Sequence, residues 1–382
     1  MGIIRVIVFL VLILTGLQGC KPEVKPVPDP LLHILSSEDP DITRVMKDPE
    51  KFEVQVIYTR IKRSDEQVVF EDHYFREAAD DYFYPASTVK LPIAVLALEK
   101  LNEIDSLDRN TRFYVEGDTL ETTFANDITA IFALSDNAAS NRLLEFLGQD
   151  DINRRLLAKE AGPVRISHRL GDPSDRLTTR PLILYLNDST LTPSRAINNK
   201  PAQALNLKGI EKGVGYVKDD SLYHSPFSFA LKNYYPLRTQ HEILKRLVFP
   251  GKFPKDQQFS ITKEQRHFLL QSMKTLPREA GYDPGEFHDA YGKFFIYGDS
   301  KEAIPGNIEI YNKVGYAYGT LTDVAYIRDK ENKIEFLLSA TLLVNENGIY
   351  NDDEYEYEET GIPFLAALGR GVYHFEQQQQ KN

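Results

Sequence analysis

What most constrains this chain is where its two kinds of periodicity fall. Strand-like alternation sits near both ends, and helical spacing fills the middle. Phe52 to Ile61 alternates, with Phe52, Val54, Val56 and Tyr58 on one side. A turn at Arg63-Ser64-Asp65 leads into a second strand from Gln67 to Phe75, so the two read as a hairpin. Near the other end, Ile308–Asn312, Thr320–Arg328 and Glu335–Val344 read as three strands joined by turns at Gly315–Gly319 and Asp329–Asn332. Between them, Pro85–Leu101 is a strong helix in which Val89, Ile93, Leu96, Ala97 and Leu101 share a face. Ile128–Leu147 is a second, ended by Gly148, and Asp151–Ala161 a third, stopped by Gly162-Pro163. Thr239–Leu247 and Thr262–Leu276 are also helical, Leu31–Lys47 has helical spacing broken near Pro40, and Pro363–Phe375 closes the chain. The order of strands, helices, strands and helix predicts a mixed α/β fold, an antiparallel sheet flanked by a helical part.

Other segments carry less pattern. Residues 172–236 are poorly periodic, with a small hairpin expected over Lys208–Val217. The acidic run Asp352–Glu359 reads as solvated, and the tail from Gln377 reads as frayed. A formal charge of −11 argues against a nucleic-acid partner, which needs a basic footprint. The single cysteine excludes an internal disulfide and any site built on several cysteines. The eight histidines are scattered with no paired spacing, and neither a phosphate-cradling glycine loop nor a Gly-x-Ser-x-Gly elbow occurs, so no metal or cofactor is expected.

The lone cysteine has an informative position. Arg5 is followed by nine unbroken apolar residues, Val6 to Leu14, and the stretch exits through Leu17-Gln18-Gly19-Cys20. A positive start, a short apolar core and small residues at the exit describe a secretory signal over residues 1–19. The core is too short for a comfortable membrane span. Leu17 to Cys20 resembles the lipobox of bacterial lipoproteins, which implies a lipidated Cys20 and a membrane-anchored protein of the cell envelope, its domain outside the cytoplasm. Pro22, Pro26, Pro28 and Pro30 make residues 20–30 a stiff stalk.

Three short signals carry chemistry. Ser87-Thr88-Val89-Lys90 opens the first strong helix, and the i,i+3 spacing puts a hydroxyl and an amine on one face. A serine needs a neighbouring base to become a nucleophile, and a lysine serves only if burial or another cation keeps part of it neutral. Ser135-Asp136-Asn137 lies 48 residues further on, opening a helical segment where the same residues also serve as N-caps. Lys313-Val314-Gly315 lies 226 residues after Ser87, at the end of one strand, where an edge lysine is also a common guard against aggregation. Each is weak alone, but the ordered set is specific.

With its local context, the set resembles the serine β-lactamase and penicillin-binding superfamily, class A β-lactamases most closely. Ser87 to Pro92 follows Ser-x-x-Lys-x-Pro. Ser135 to Leu144 follows Ser-Asp-Asn-x-Ala-x-Asn-x-Leu-Leu, and Lys313 to Tyr326 follows the strand–turn–strand after Lys-Thr-Gly. The resemblance covers about residues 31 to 376, implying one β-lactamase/transpeptidase-like domain with insertions near 175–236 and 283–307. It implies that Ser87 attacks a carbonyl to form an acyl-enzyme and that Lys90 is the base or a proton relay. Ser135 passes a proton to the leaving nitrogen, Asn137 holds a substrate amide, and Lys313 tunes Ser135 and attracts a substrate carboxylate. The backbone N–H groups of Ser87 and of Tyr316, the residue after Gly315, form the oxyanion hole.

Two departures stand out. Val314 replaces the usual Thr or Ser, removing a hydroxyl that would bond a substrate carboxylate, and such a bond is worth about 1.5–3 kcal/mol. The loop after Val164 to Arg169 carries no glutamate to activate a deacylating water; Asp172, before Pro173, is the nearest counterpart and equally suits a turn. Three functions follow. The first is a serine hydrolase of the β-lactamase type, acting on the amide of a β-lactam or related cell-wall compound. The second is a D,D-peptidase or other amidase or esterase with slow or no β-lactam turnover. The third is a non-catalytic envelope binding protein. The partner expected is a small-molecule or peptide cell-wall substrate. The aromatic residues Tyr216, Tyr223, Phe227, Phe229, Tyr234 and Tyr235 are expected to pack the first insertion or to line the site.

Overall fold

The computed structural model describes residues 29–64, 67–172 and 174–380. The expected leader, Cys20, the expected stalk up to residue 28 and Pro173 lie outside the described residues. Among the described residues, no helix is long and apolar enough to cross a membrane.

The N-terminal segment supplies helices α1 (Pro30–Leu35) and α2 (Pro40–Met46), each capped by an aspartate ahead of a helix-starting proline. The hairpin β1 (Gln55–Arg63) and β2 (Val68–Phe75) follows. A 3₁₀ turn, Ala86–Val89, runs into α3 (Lys90–Leu101). The helical part then contains α4 (Phe124–Ala133), α5 (Asn137–Leu147) and α6 (Gln149–Ala158). A small sheet beside it orders β3 (Arg112–Val115), β4 (Thr122–Thr123), β5 (Leu182–Asn187) and β6 (Thr190–Pro193) as β4-β3-β5-β6. Short strands β7 (Glu211–Lys212), β8 (Gly215–Lys218), β9 (Ser221–Tyr223) and β10 (Phe227–Ser228) occupy the first insertion. Helices α7 (Leu237–Val248) and α8 (Lys263–Lys274) precede β11 (Ile308–Ala317), β12 (Thr320–Asp329) and β13 (Ile334–Leu343). The short β14 (Ile349–Tyr350) and helix α9 (Ile362–Gln380) complete the chain.

The central sheet is antiparallel in the order β11-β12-β13-β1-β2, so the two ends of the chain meet where β1 pairs with β13. Both its faces are covered. Ile57, Tyr311, Val324, Tyr326 and Leu337 face the helical part and pack with α3, α7 and α8. Their alternating neighbours Val56, Tyr58, Ile310, Val314, Ala325, Phe336 and Leu338 pack with Leu31, Ile34, Phe364, Leu365, Leu368 and Val372 of α1 and α9. The period of two thus divides each strand between two cores. The fold is mixed α/β, as the element order implies.

Several boundaries differ from the sequence reading. The helix expected over Ile128–Leu147 is two helices broken at Leu134-Ser135-Asp136, because Asp136 caps α5 and Ser135 takes a left-handed conformation, φ 57°. Strand β11 runs on to Ala317, so Lys313-Val314-Gly315 lies inside the strand; the reversal is at Tyr318-Gly319. The expected hairpin over Lys208–Val217 forms instead between β8 and β9, and β7 pairs with β10. Helix α9 continues to Gln380, past the expected tail, and Glu376 turns inward to bond Tyr58 and Arg60.

A buried ion pair ties the 164–180 loop to α5. Arg169 donates two bonds to Glu145, each 2.9 Å, with both side chains 2% exposed, and the Arg180 backbone N–H adds a third at 2.8 Å. Removing one partner of such a pair leaves a buried unpaired charge. Glu145→Ala is therefore expected to lose about 3–5 kcal/mol in urea unfolding; a loss below about 1 kcal/mol would show that the pair does not hold the loop.

Candidate active site

The site begins at the start of α3. This helix is buried at every position but Lys100, so the first turn that carries Ser87 and Lys90 is set in the core rather than on a surface. Ala86 holds a positive φ of 45°, and half-buried Ser87 follows it. Although the spacing sets them on one face, no hydrogen bond joins Ser87 to Lys90. Among the described residues the Ser87 hydroxyl has no partner, and the fully buried Lys90 reaches across to the α4–α5 break. There its ammonium nitrogen donates to the Ser135 carbonyl, to Asn137 Oδ1 at 2.6 Å and to Ser135 Oγ at 3.3 Å.

The break presents Ser135 because the helices on either side are clamped. Arg142 of α5 makes a two-pronged pair with Asp127 of α4, at 2.9 and 2.7 Å. Asp136 Oδ1 accepts from the Ala139 N–H at 2.7 Å. The motif therefore divides its labour: Asp136 caps, while Ser135 and Asn137 join the lysine network.

Lys313 reaches the same hydroxyl from the sheet. Its Nζ donates to Ser135 Oγ and to the Val314 carbonyl, both at 2.8 Å. Burial pushes Lys90 down to about 7, and burial together with Lys90 itself holds Lys313 well below the usual lysine range. Behind Lys313, on the opposite face, buried Lys293 bonds Asn312 Oδ1 at 2.7 Å, and Asn312 bonds Asp323 at 2.8 Å. Burial lowers Lys293 to about 7 and raises Asp323 to about 6. Val314 is 3% exposed and packs in the core under α9, where an apolar side chain is what the site requires. Gly315 lets the edge strand β11 press against the 3₁₀ turn: a Cβ there would lie 2.7 Å from the Pro85 carbonyl and 2.8 Å from the nitrogens of Ser87 and Thr88.

A cleft of about 390 Å³ opens above these groups. Ser87, Asn137, Gly171 and Tyr316 line it, with Tyr84, Tyr318, Asn351, Asp353, Tyr355 and Tyr357 forming a further wall. The loop after the helices enters at Leu170-Gly171, held by a reciprocal pair with Asn141: Asn141 Nδ2 donates to the Leu170 carbonyl at 2.9 Å and its Oδ1 accepts the Leu170 N–H at 3.0 Å. Gly171, at φ 64°, faces Asn137 so closely that a Cβ would sit 2.9 Å from Asn137 Nδ2. Asp172 does not line the cleft. It starts a turn, accepting the Ser174 N–H at 2.8 Å and pairing with Arg176 at 3.5 Å. Burial pushes its carboxyl up, but the Ser174 bonds and Arg176 outweigh it and keep it below the usual range. Of the six aromatics expected to pack the first insertion or line the site, none lines the cleft: Phe229 and Tyr234 are buried beside Tyr82, Tyr84 and Tyr350 with Tyr216 and Phe227 against them, Tyr235 joins the core of the helical part, and Tyr223 is exposed. The wall from 351 to 357 was not foreseen; its acidic composition reads as solvent-facing, and only the alternation Asp353, Tyr355, Tyr357 hints that one side is covered. Among the described residues no group of three or more His, Cys, Asp or Glu side chains is placed to hold a metal ion.

Comparison with known proteins bears on the fold. Residues 40–198 match the model of a β-lactamase enzyme family. The β-lactamase from Sphaerobacter thermophilus is similar in structure, with a TM-score of 0.51 and 13% identity over 91% of this chain and 96% of that one. The β-lactamase from Desulfarculus baarsii is similar to the same degree, with a TM-score of 0.51 and 14% identity over 90% and 96%. A β-lactamase from Xanthomonas campestris gives 0.50 and 13% over 90% and 96%. No curated protein sequence matches. Residues 40–198, under half of the chain, are thus similar to a β-lactamase enzyme family, and the fold is that of the β-lactamase structures it matches.

Proposed function

We propose that the chain is a serine hydrolase that forms an acyl-enzyme through Ser87, acting on an amide or ester of a β-lactam-like or other cell-wall compound. The observation that carries this reading is the convergence of two buried lysines on the Ser135 hydroxyl, beside a helix start whose serine lines the cleft. Neutral Lys90 takes the Ser87 proton as Oγ bonds the carbonyl carbon. The negative oxygen is met by the backbone N–H groups of Ser87 and Tyr316. The C–N bond then breaks as Ser135, held by Lys313, delivers a proton to the leaving nitrogen, and Asn137 holds the substrate amide. Water finally cleaves the Ser87 ester.

That last step distinguishes two readings. Of the loop after the helices, Leu170 and Gly171 line the cleft and bring no carboxylate to it, and Asp172 is turned to Arg176. This favours the peptidase- or esterase-like reading, with an acyl-enzyme that β-lactams form and leave slowly. We read Cys20 as the lipidation site that keeps the domain at a membrane of the cell envelope; replacing Cys20 with serine and following membrane partition in a bacterial host tests that assignment.

A fluorescent penicillin is expected to label the wild-type chain and not Ser87→Ala, while nitrocefin turnover remains slow. Equal labelling of both proteins contradicts the reading, and rapid nitrocefin turnover contradicts the role given to Gly171. Because Lys90 must be neutral, acylation is expected to rise about tenfold between pH 6 and 8, through an apparent pKa near 7. Lys90→Arg, which cannot lose its proton, is expected to remove that rise and slow acylation about 100-fold or more. A stopped-flow acylation profile that is flat over this range in the wild type would exclude Lys90 as the base.

A further inference from the structure

The charge and aromatic character of the cleft point to a particular substrate. Among the described residues that line it, Asp353 carries the one formal charge. Its carboxylate has no hydrogen-bond or ion-pair partner among the described residues, and it is exposed at a positive φ of 61°. The rings around it are held in place. The Tyr355 hydroxyl oxygen accepts the Asn351 N–H and that of Tyr357 accepts the Gly319 N–H, both at 2.8 Å. Tyr316 stands edge-on to Tyr357 at 5.3 Å between ring centres, and Tyr316 is 48% exposed. Rings fixed in this way form a preorganised surface whose electron-rich faces attract cations. The chain already uses that property on the same wall, where the Lys232 ammonium lies 6.0 Å from the Tyr318 ring centre.

The groups that would anchor an anion are missing from the surface of the cleft. Val314 offers no hydroxyl and lies in the core. The Lys313 ammonium is fully buried and already bonded to Ser135 and to a carbonyl. Among the described residues, no arginine lines the cleft. A carboxylate entering here meets Asp353 and a tyrosine wall; a protonated amine meets the charge and the rings it favours.

We propose that this cleft selects a substrate carrying a protonated amine, as on the side chain or amino terminus of a peptide, and disfavours one carrying a carboxylate. The proposal rests on the acyl-enzyme reading and names the substrate class for that site. In it, Asp353 is the residue that sets charge preference, with the ammonium held between its carboxylate and the rings of Tyr355 and Tyr357.

Three p-nitrophenyl esters of equal chain length, ending in an ammonium, a methyl or a carboxylate group, test it on the full chain. Each reacts as Ser87 Oγ bonds the acyl carbon, p-nitrophenolate leaves, and the serine proton passes to Lys90. The expected order of kcat/KM is ammonium, methyl, carboxylate, with about tenfold or more between the first and last. In Asp353→Asn the ammonium-to-carboxylate ratio is expected to fall to near unity, and in Asp353→Lys to invert; a ratio needs no assumption about the amount of folded protein. Ser87-dependent cleavage with equal rates, or with the carboxylate ester preferred, overturns this proposal and leaves the acyl-enzyme reading standing. A ratio unchanged in both Asp353 variants also overturns it. Cleavage of all three esters by Ser87→Ala as fast as by wild type overturns the acyl-enzyme reading, and this proposal with it.

Discussion

Two lysines from opposite parts of the chain share one serine hydroxyl, and the rest of the site depends on that arrangement. Lys90 comes from the buried helix α3 and Lys313 from the edge strand β11, and both donate to Ser135 Oγ, at 3.3 and 2.8 Å. Two ammonium groups so close together, out of water, cannot both stay charged at ordinary cost. Burial lowers Lys90 to about 7, and burial together with the Lys90 charge holds Lys313 well below the usual lysine range. A base that is half neutral near physiological pH is what an unactivated serine needs. The same contact joins distant parts of the chain: β1 pairs with β13, and Ser135 lies between lysines 223 residues apart in sequence.

The supports of this contact are steric as much as electrostatic. Gly315 allows a strand to lie against the helix start where no side chain fits. The left-handed Ser135 turns the chain between α4 and α5, and the Arg142–Asp127 pair keeps the two helices in register across that turn. Asn141 and the buried Arg169–Glu145 pair fix the loop that ends at Gly171. That loop brings a glycine, not a carboxylate, to the cleft. On the proposed reading, such a site forms an ester on Ser87 and hydrolyses it slowly.

Much of this was legible in the sequence, for identifiable reasons. The strands of the central sheet are rich in apolar residues that divide between two cores, and the helices that matter are long and apolar on the side they bury. Ser87, Lys90, Ser135, Asn137 and Lys313 are local motifs, and the structure brings all five to one place. The break at Ser135 was hidden because apolar residues keep helical spacing across it, from Ile131 to Leu143. The motif's own capping residues were the signal that the helix restarts there. Strand β11 was cut short because Gly315 looks like a turn, whereas here it marks a close approach of two backbones. The 351–357 wall was illegible because its placement depends on β14 pairing with β8 of a distant insertion. Nothing in a local acidic run announces such a partner.

The central claim is that Ser87 takes up an acyl group and keeps it. Intact-mass spectrometry of the chain after mixing with an excess of a penicillin tests this most directly, with the modified peptide mapped and the adduct followed in time. The account predicts a single adduct of the full penicillin mass, on the peptide bearing Ser87, that outlasts many times the acylation half-time. Release within the dead time, an adduct on another residue, or no adduct with either a penicillin or an activated ester would contradict it.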